Sequence, residues 1–66
     1  MKVTANGKPV DLPDEATIAD LLDELGLGNR GVIVEKNGEP VPRAVLLGTV
    51  LADGDRLELV RAVAGG

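Results

Sequence analysis

The sequence contains no cysteine, no histidine and no aromatic residue. Without cysteine it has no disulfide staple, no thiol nucleophile and no Cys-based metal site. Without histidine it lacks the side chain most often used as a general base near neutral pH. A core built without Phe, Tyr or Trp must come from Val, Leu, Ile and Ala. Each large aliphatic side chain contributes about 1.5–3 kcal/mol on full burial. Length is also in short supply: 66 residues make one small domain, of a size that buries only about 60% of its unfolded surface. Positive charge is scarce too. A net charge of −4 and a pI near 4.5 argue against nucleic acid or an anionic membrane as partner. No apolar run is long enough to span a bilayer and no signal-peptide pattern is present, so a cytoplasmic location is expected.

What is present is an ordered succession of short patterns. Lys2-Val3-Thr4-Ala5-Asn6 alternates with period two. Asn6-Gly7 follows, a two-residue hairpin signal, because both central residues of a type I′ turn need positive φ. Lys8 to Leu12 resumes the alternation, with Val10 and Leu12 on one face and Pro9 suited to a sheet edge. Thr17 reads as a helix N-cap, with Asp20 three residues on as an imperfect capping-box partner. Ile18, Leu21, Leu22 and Leu25 then fall at i, i+3, i+4 and i+7, one apolar stripe of a helix. Gly26 is the C-cap. Ala19, Asp20, Asp23 and Glu24 face away as a solvated acidic face, and Asp14 and Glu15 lie near the positive end of the helix dipole.

Gly28-Asn29-Arg30-Gly31 reads as a loop. Gly31 to Glu35 reads as a strand covered on both faces, because its apolar run lacks clean alternation. Asn37-Gly38 is a second turn, and Glu39-Pro40-Val41-Pro42-Arg43 is extended, since its prolines forbid regular helix and interior strand. Ala44 to Gly48 suits a short helical turn. Asp53-Gly54-Asp55 makes a third turn, and Arg56 to Val63 the last strand, with Leu57 and Leu59 inward and Glu58 and Val60 outward. A hairpin followed by a helix across one sheet face is an α+β roll. A right-handed crossover through that helix would set the first and last strands parallel at the sheet centre.

The sequence ends in Val63-Ala64-Gly65-Gly66, and no turn signal after Val60 folds the chain back. Residues 61–66 are therefore expected to project as a tail. Glycine without Cβ makes such a tail thin enough to thread a narrow channel and deliver a carboxylate to a remote site.

Taken together, these motifs resemble the small ubiquitin-like β-grasp sulfur carriers, most closely those of thiamine biosynthesis. The resemblance spans the chain. Its residues are the Asn6-Gly7 hairpin, Thr17-Ile18-Ala19-Asp20-Leu21-Leu22, Val34-Glu35-Lys36-Asn37 with Val41-Pro42-Arg43, Leu51 to Asp55, Leu57 to Val60, and Val63 to Gly66. One departure is visible: Leu46 stands where the family often carries tryptophan, three residues after the arginine of Val-Pro-Arg.

The resemblance implies a carrier and not an enzyme. An E1-like partner would adenylate the Gly66 carboxylate with ATP, and sulfur transfer would convert it to a thiocarboxylate. Thiazole synthase would take the sulfur, and a donor such as a cysteine desulfurase would supply it. No resident cofactor is implied, and ATP is used by the partner. Gly65 would keep the approach to Gly66 open. Glu58, Val60, Ala62, Val63 and Ala64 would meet the partner. Two alternatives stand beside this: a carrier for molybdopterin or another thiolation pathway, and a non-covalent ubiquitin-like module with an inert tail. Asp55 has two open readings, contact with a basic partner or closure of the turn. Arg43 likewise either docks a partner or is a surface charge on an extended segment. Asp14, Glu15, Asp53 and Asp55 match no calcium-loop spacing, and a metal site there is not expected.

Overall fold

A computed structural model describes residues 1–28 and 31–61. The expected loop positions Asn29 and Arg30, and the tail residues Ala62, Val63, Ala64, Gly65 and Gly66, lie outside the described residues. Strands β1 (Lys2–Ala5) and β2 (Lys8–Asp11) form the opening hairpin, followed by helix α1 (Ile18–Leu25). Strand β3 (Val32–Lys36), the short β4 (Glu39–Pro40), a 3₁₀ turn (Arg43–Val45) and β5 (Arg56–Arg61) complete the order. The sheet runs β2-β1-β5-β3-β4. β5 lies parallel to β1 and antiparallel to β3, so the last strand is central, as in the β-grasp arrangement. Pro9 and Pro40 both sit on edge strands, where a missing N–H breaks no internal ladder.

Both Asn-Gly pairs adopt the left-handed backbone their turns require: φ is 50° and 83° at Asn6 and Gly7, and 53° and 87° at Asn37 and Gly38. The helix begins as its sequence dictates. The Thr17 hydroxyl accepts from the Asp20 N–H, and the Asp20 carboxylate accepts from the Thr17 N–H at 2.9 Å. The Ile18 N–H, orphaned at the helix start, donates to the Thr49 carbonyl at 3.0 Å.

One position of the expected apolar stripe is corrected. Ile18, Leu21 and Leu22 are buried, but Leu25 is 37% exposed. Gly26 ends the helix at φ 69° in a Schellman turn: its N–H bonds the Asp23 carbonyl, and the Leu27 N–H bonds the Leu22 carbonyl. The chain reverses there, and Leu27, not Leu25, packs against the core.

A second correction concerns β3. Its burial alternates, with Val32 and Val34 inside and Ile33 53% exposed. The reason is that α1 covers one face of the sheet only. The core lies between them, formed by Val3, Ala5, Val32, Val34, Leu57 and Leu59 from the strands and Ile18, Leu21 and Leu22 from the helix. Leu12, Ala16, Leu46 and Leu51 close its ends. Leu46, at 4% exposure, is a core residue: it fills at this position the space under the 3₁₀ turn. Among the described residues, no helix is long and apolar enough to cross a membrane.

Candidate functional site: the open face of the sheet

Arg61, expected as the first residue of the tail, is instead the last described residue of β5, where it pairs with Val32 of β3. β5 alternates as expected, with Leu57 and Leu59 buried and Glu58 and Val60 exposed. Pairing with β3 then brings together side chains that are distant in sequence. Val60 stands opposite Ile33, and Glu58 opposite Glu35. Cross-strand partners have Cβ atoms about 4.5–5.5 Å apart, so the uncovered face carries an apolar pair beside an acidic pair. Val60 and Ile33 are 59% and 53% exposed.

Each feature opposes ordinary surface design. Exposed aliphatic residues normally occur singly, and like charges directly opposite each other on a sheet destabilise it. An arrangement that costs folding energy and places an apolar pair at the C-terminal end of β5 suits a partner with an apolar contact and basic side chains. Ile33 and Glu35 were missed in the sequence because β3 reads as covered on both faces. Strand register supplies them; the signal available in advance was only the period-two spacing of Ile33 and Glu35.

The C-terminal half of β5 is held by side-chain hydrogen bonds as well as by its ladders. The Arg61 guanidinium donates to the Leu27 carbonyl just past the Schellman turn. The Asn6 side chain makes a two-way bridge to Leu59: its Nδ2 donates to the Leu59 carbonyl at 3.1 Å, and its Oδ1 accepts from the Leu59 N–H at 2.7 Å.

The remaining marked residues are engaged in the fold. Asp55 is 9% exposed. Its carboxylate accepts from the Ala52 N–H at 2.8 Å and from Asn37 Nδ2 at 3.0 Å. Burial pushes its pKa up, but those two hydrogen bonds and the Lys36 charge together outweigh burial and hold it below the usual aspartate value. Of its two readings, closure of the turn is the one its contacts support. Asp53 accepts from the Lys2 N–H at 2.7 Å, and Asp14 pairs with the N-terminal amine at 3.5 Å. Among the described residues, no group of three or more His, Cys, Asp or Glu side chains is placed to hold a metal. Arg43 opens the 3₁₀ turn whose following residue, Leu46, enters the core. It therefore stands on the segment covering the core and not on the open face. Glu58 and Val60 are thus the expected partner-binding residues that the structure places; Ala62, Val63, Ala64, Gly65 and Gly66 are outside the described residues.

Comparison with known proteins is consistent with this architecture. A family model described as the ThiS family matches residues 2–66. A thiazole synthase of Paramagnetospirillum magneticum is 39% identical over 66 residues, which are 100% of this chain but 20% of that protein's length. The sulfur carrier protein ThiS of Bacillus subtilis is 42% identical over 62 residues, covering 92% of this chain and 94% of the relative. The crystal structure of a thiamine biosynthesis protein (ThiS) from Geobacter metallireducens superposes with a TM-score of 0.79 at 33% identity, each chain covered completely. SAMP1 from Haloferax volcanii superposes with a TM-score of 0.64 at 27% identity, over 98% of this chain and 97% of that one.

Proposed function

The chain belongs to the ThiS family, and on that premise we propose that it carries sulfur for thiazole formation in thiamine biosynthesis, as a thiocarboxylate on Gly66. The observation that carries the reading is the likeness to a sulfur carrier over nearly the full length of both chains. The fold supports it: the strand leading to residues 62–66 is the central one, anchored on both sides.

The chemistry follows from what a carboxylate cannot do. It is a poor acyl donor, because its leaving group would be oxide. Attack of a Gly66 carboxylate oxygen on the α-phosphorus of ATP, in an E1-like partner, expels pyrophosphate and gives an acyl adenylate with AMP as leaving group. The terminal sulfur of a persulfide then attacks the carbonyl carbon and AMP departs, leaving an acyl disulfide. A thiolate attacks the other sulfur of that disulfide, the one not bonded to the carbonyl carbon, forms a new disulfide and releases the thiocarboxylate, so the thiol supplies the two electrons. A cysteine desulfurase is the source of the persulfide in this scheme. Gly65 leaves the carbonyl approachable, since a Cβ there would crowd both the nucleotide and the persulfide. Glu58, Val60, Ile33 and Glu35 dock the activating partner, with Ala62, Val63 and Ala64 continuing the contact along the tail. That a protein named thiazole synthase contains a segment matching this whole chain supports thiazole synthase as the enzyme that takes the sulfur.

The test is intact-mass analysis after incubation with ATP, a persulfide donor, a thiol and the E1-like enzyme of the same source. The parent gains the mass of a sulfur-for-oxygen exchange at its C-terminus. Deletion of Gly66 retracts the carboxylate by about 3.3–3.6 Å along an extended chain, and the exchange is lost. Equal thiocarboxylation of the deleted chain, or no adenylate on the parent, would overturn the proposal.

A further inference from the structure

β5 is clamped at both ends by the side chains of the two Asn-Gly turns. At its start, Asn37 Oδ1 accepts from the Arg56 N–H at 2.9 Å while Asn37 Nδ2 reaches the Asp55 carboxylate at 3.0 Å. Near its end, Asn6 bonds both the N–H and the carbonyl of Leu59. These asparagines are in the turns because they tolerate positive φ; that requirement leaves their side chains free for other contacts.

The two clamps differ in what they hold. β1 pairs with β5 by main-chain bonds at Thr4 and Asn6, whose N–H groups donate to the carbonyls of Asp55 and Leu57 at 2.9 Å each. At Asn6 the chain turns away into the hairpin. A longer β1 would have carried the ladder on to Leu59. Instead the Asn6 carboxamide, a donor and an acceptor in one plane like a peptide group, takes that place. Among the described residues it is the final rung on the β1 side of β5, and only Val60 and Arg61 separate Leu59 from Ala62 in the sequence.

We propose that Asn6 is a positioning residue for the reacting C-terminus: its carboxamide completes the β1–β5 ladder at Leu59 and, with β3 paired on the other side, fixes the heading of β5 as far as Arg61. The inference rests on the carrier reading above. Reaction at the end of a thin tail depends on where the tail is anchored, and displacement by about 1 Å at a reacting centre can cost as much as about a hundredfold in rate. Asn37 grips the far end of the same strand and lacks this role.

Asn6→Gly is the discriminating variant, because glycine keeps the positive φ of the turn while the side chain that carries the carboxamide is removed. Asn37→Gly is its control, with the same chemistry removed at the other end of β5. Three readouts are taken: urea midpoint, amide hydrogen exchange at Leu59 and Arg56, and the rate of thiocarboxylate formation at saturating ATP with the activating partner. Both variants lower the urea midpoint. Exchange rises at Leu59 in Asn6→Gly and at Arg56 in Asn37→Gly. Thiocarboxylation slows about tenfold in Asn6→Gly, from loss of two hydrogen bonds that hold the competent orientation. It stays within about twofold of the parent in Asn37→Gly, whose clamp lies at the opposite end of β5 from the tail. Equal rates in the two variants while the parent reacts would overturn the positioning role. A parent that does not react at all would overturn the carrier reading instead, and Leu59 exchange unchanged in Asn6→Gly would refute the clamp itself.

Discussion

Replacing Leu22 and Leu25 by alanine, one at a time, makes the same chemical change on the same helix with different expected costs. Leu22 is 1% exposed and Leu25 is 37% exposed. Leucine-to-alanine removes carbons worth about 0.8 kcal/mol each when buried, about 2.4 kcal/mol of transfer free energy in full. At Leu22 a cavity is left between helix and sheet, which brings the expected loss to about 2–5 kcal/mol. At Leu25 roughly two-thirds of the transfer loss applies, and water fills the vacated space. Alanine also returns a few tenths of a kcal/mol of helix propensity, so the net loss is about 1 kcal/mol. A domain of this size has a total stability of about 3–10 kcal/mol, so Leu22→Ala removes a large share of it. The chain has no tryptophan or tyrosine, which makes far-UV circular dichroism in urea the assay, with a common m-value as the check on two-state unfolding. Equal midpoint shifts in the two variants would refute the Schellman-turn account of which leucines reach the core.

Three further outcomes are expected. Asp55 has a folded pKa below that of the unfolded chain, so its stabilising contribution is complete above about pH 4 and is lost as pH falls through the folded value; Asp55→Asn should flatten this acid limb of the urea midpoint, and an unchanged limb would place the titration elsewhere. Val60→Asp should leave the melting temperature near that of the parent, because Val60 is an exposed residue, while weakening activation by the E1-like partner; unchanged adenylation kinetics would remove Val60 from the docking face. Gly65→Val should abolish thiocarboxylation without altering the far-UV spectrum, and a reactive Gly65→Val chain would show that the channel around the tail is not close-fitting.

Local rules account for much of the fold. Asn6-Gly7 and Asn37-Gly38 demand their turns because few residues accept successive positive φ values. Thr17 and Asp20 specify where the helix starts, since their side chains satisfy orphan N–H groups within reach along the chain. The alternation in Leu57-Glu58-Leu59-Val60 decides which side of β5 is buried, because successive strand side chains point to opposite faces. The Gly65-Gly66 end and the spread of family motifs likewise carry the functional expectation in the sequence alone.

Other features depend on partners distant in the chain. That β3 is covered on one side only follows from there being, among the described residues, one α-helix, which packs on one face of the sheet, and no local pattern in Gly31 to Glu35 reports it. The Val60–Ile33 and Glu58–Glu35 pairs arise from inter-strand register, which is set by the sheet as a whole. Asp55 had two open readings until packing brought Asn37 against it. Asn6 reads locally as a turn residue; its grip on Leu59, 53 positions away, exists only because the parallel crossover lays β5 beside β1.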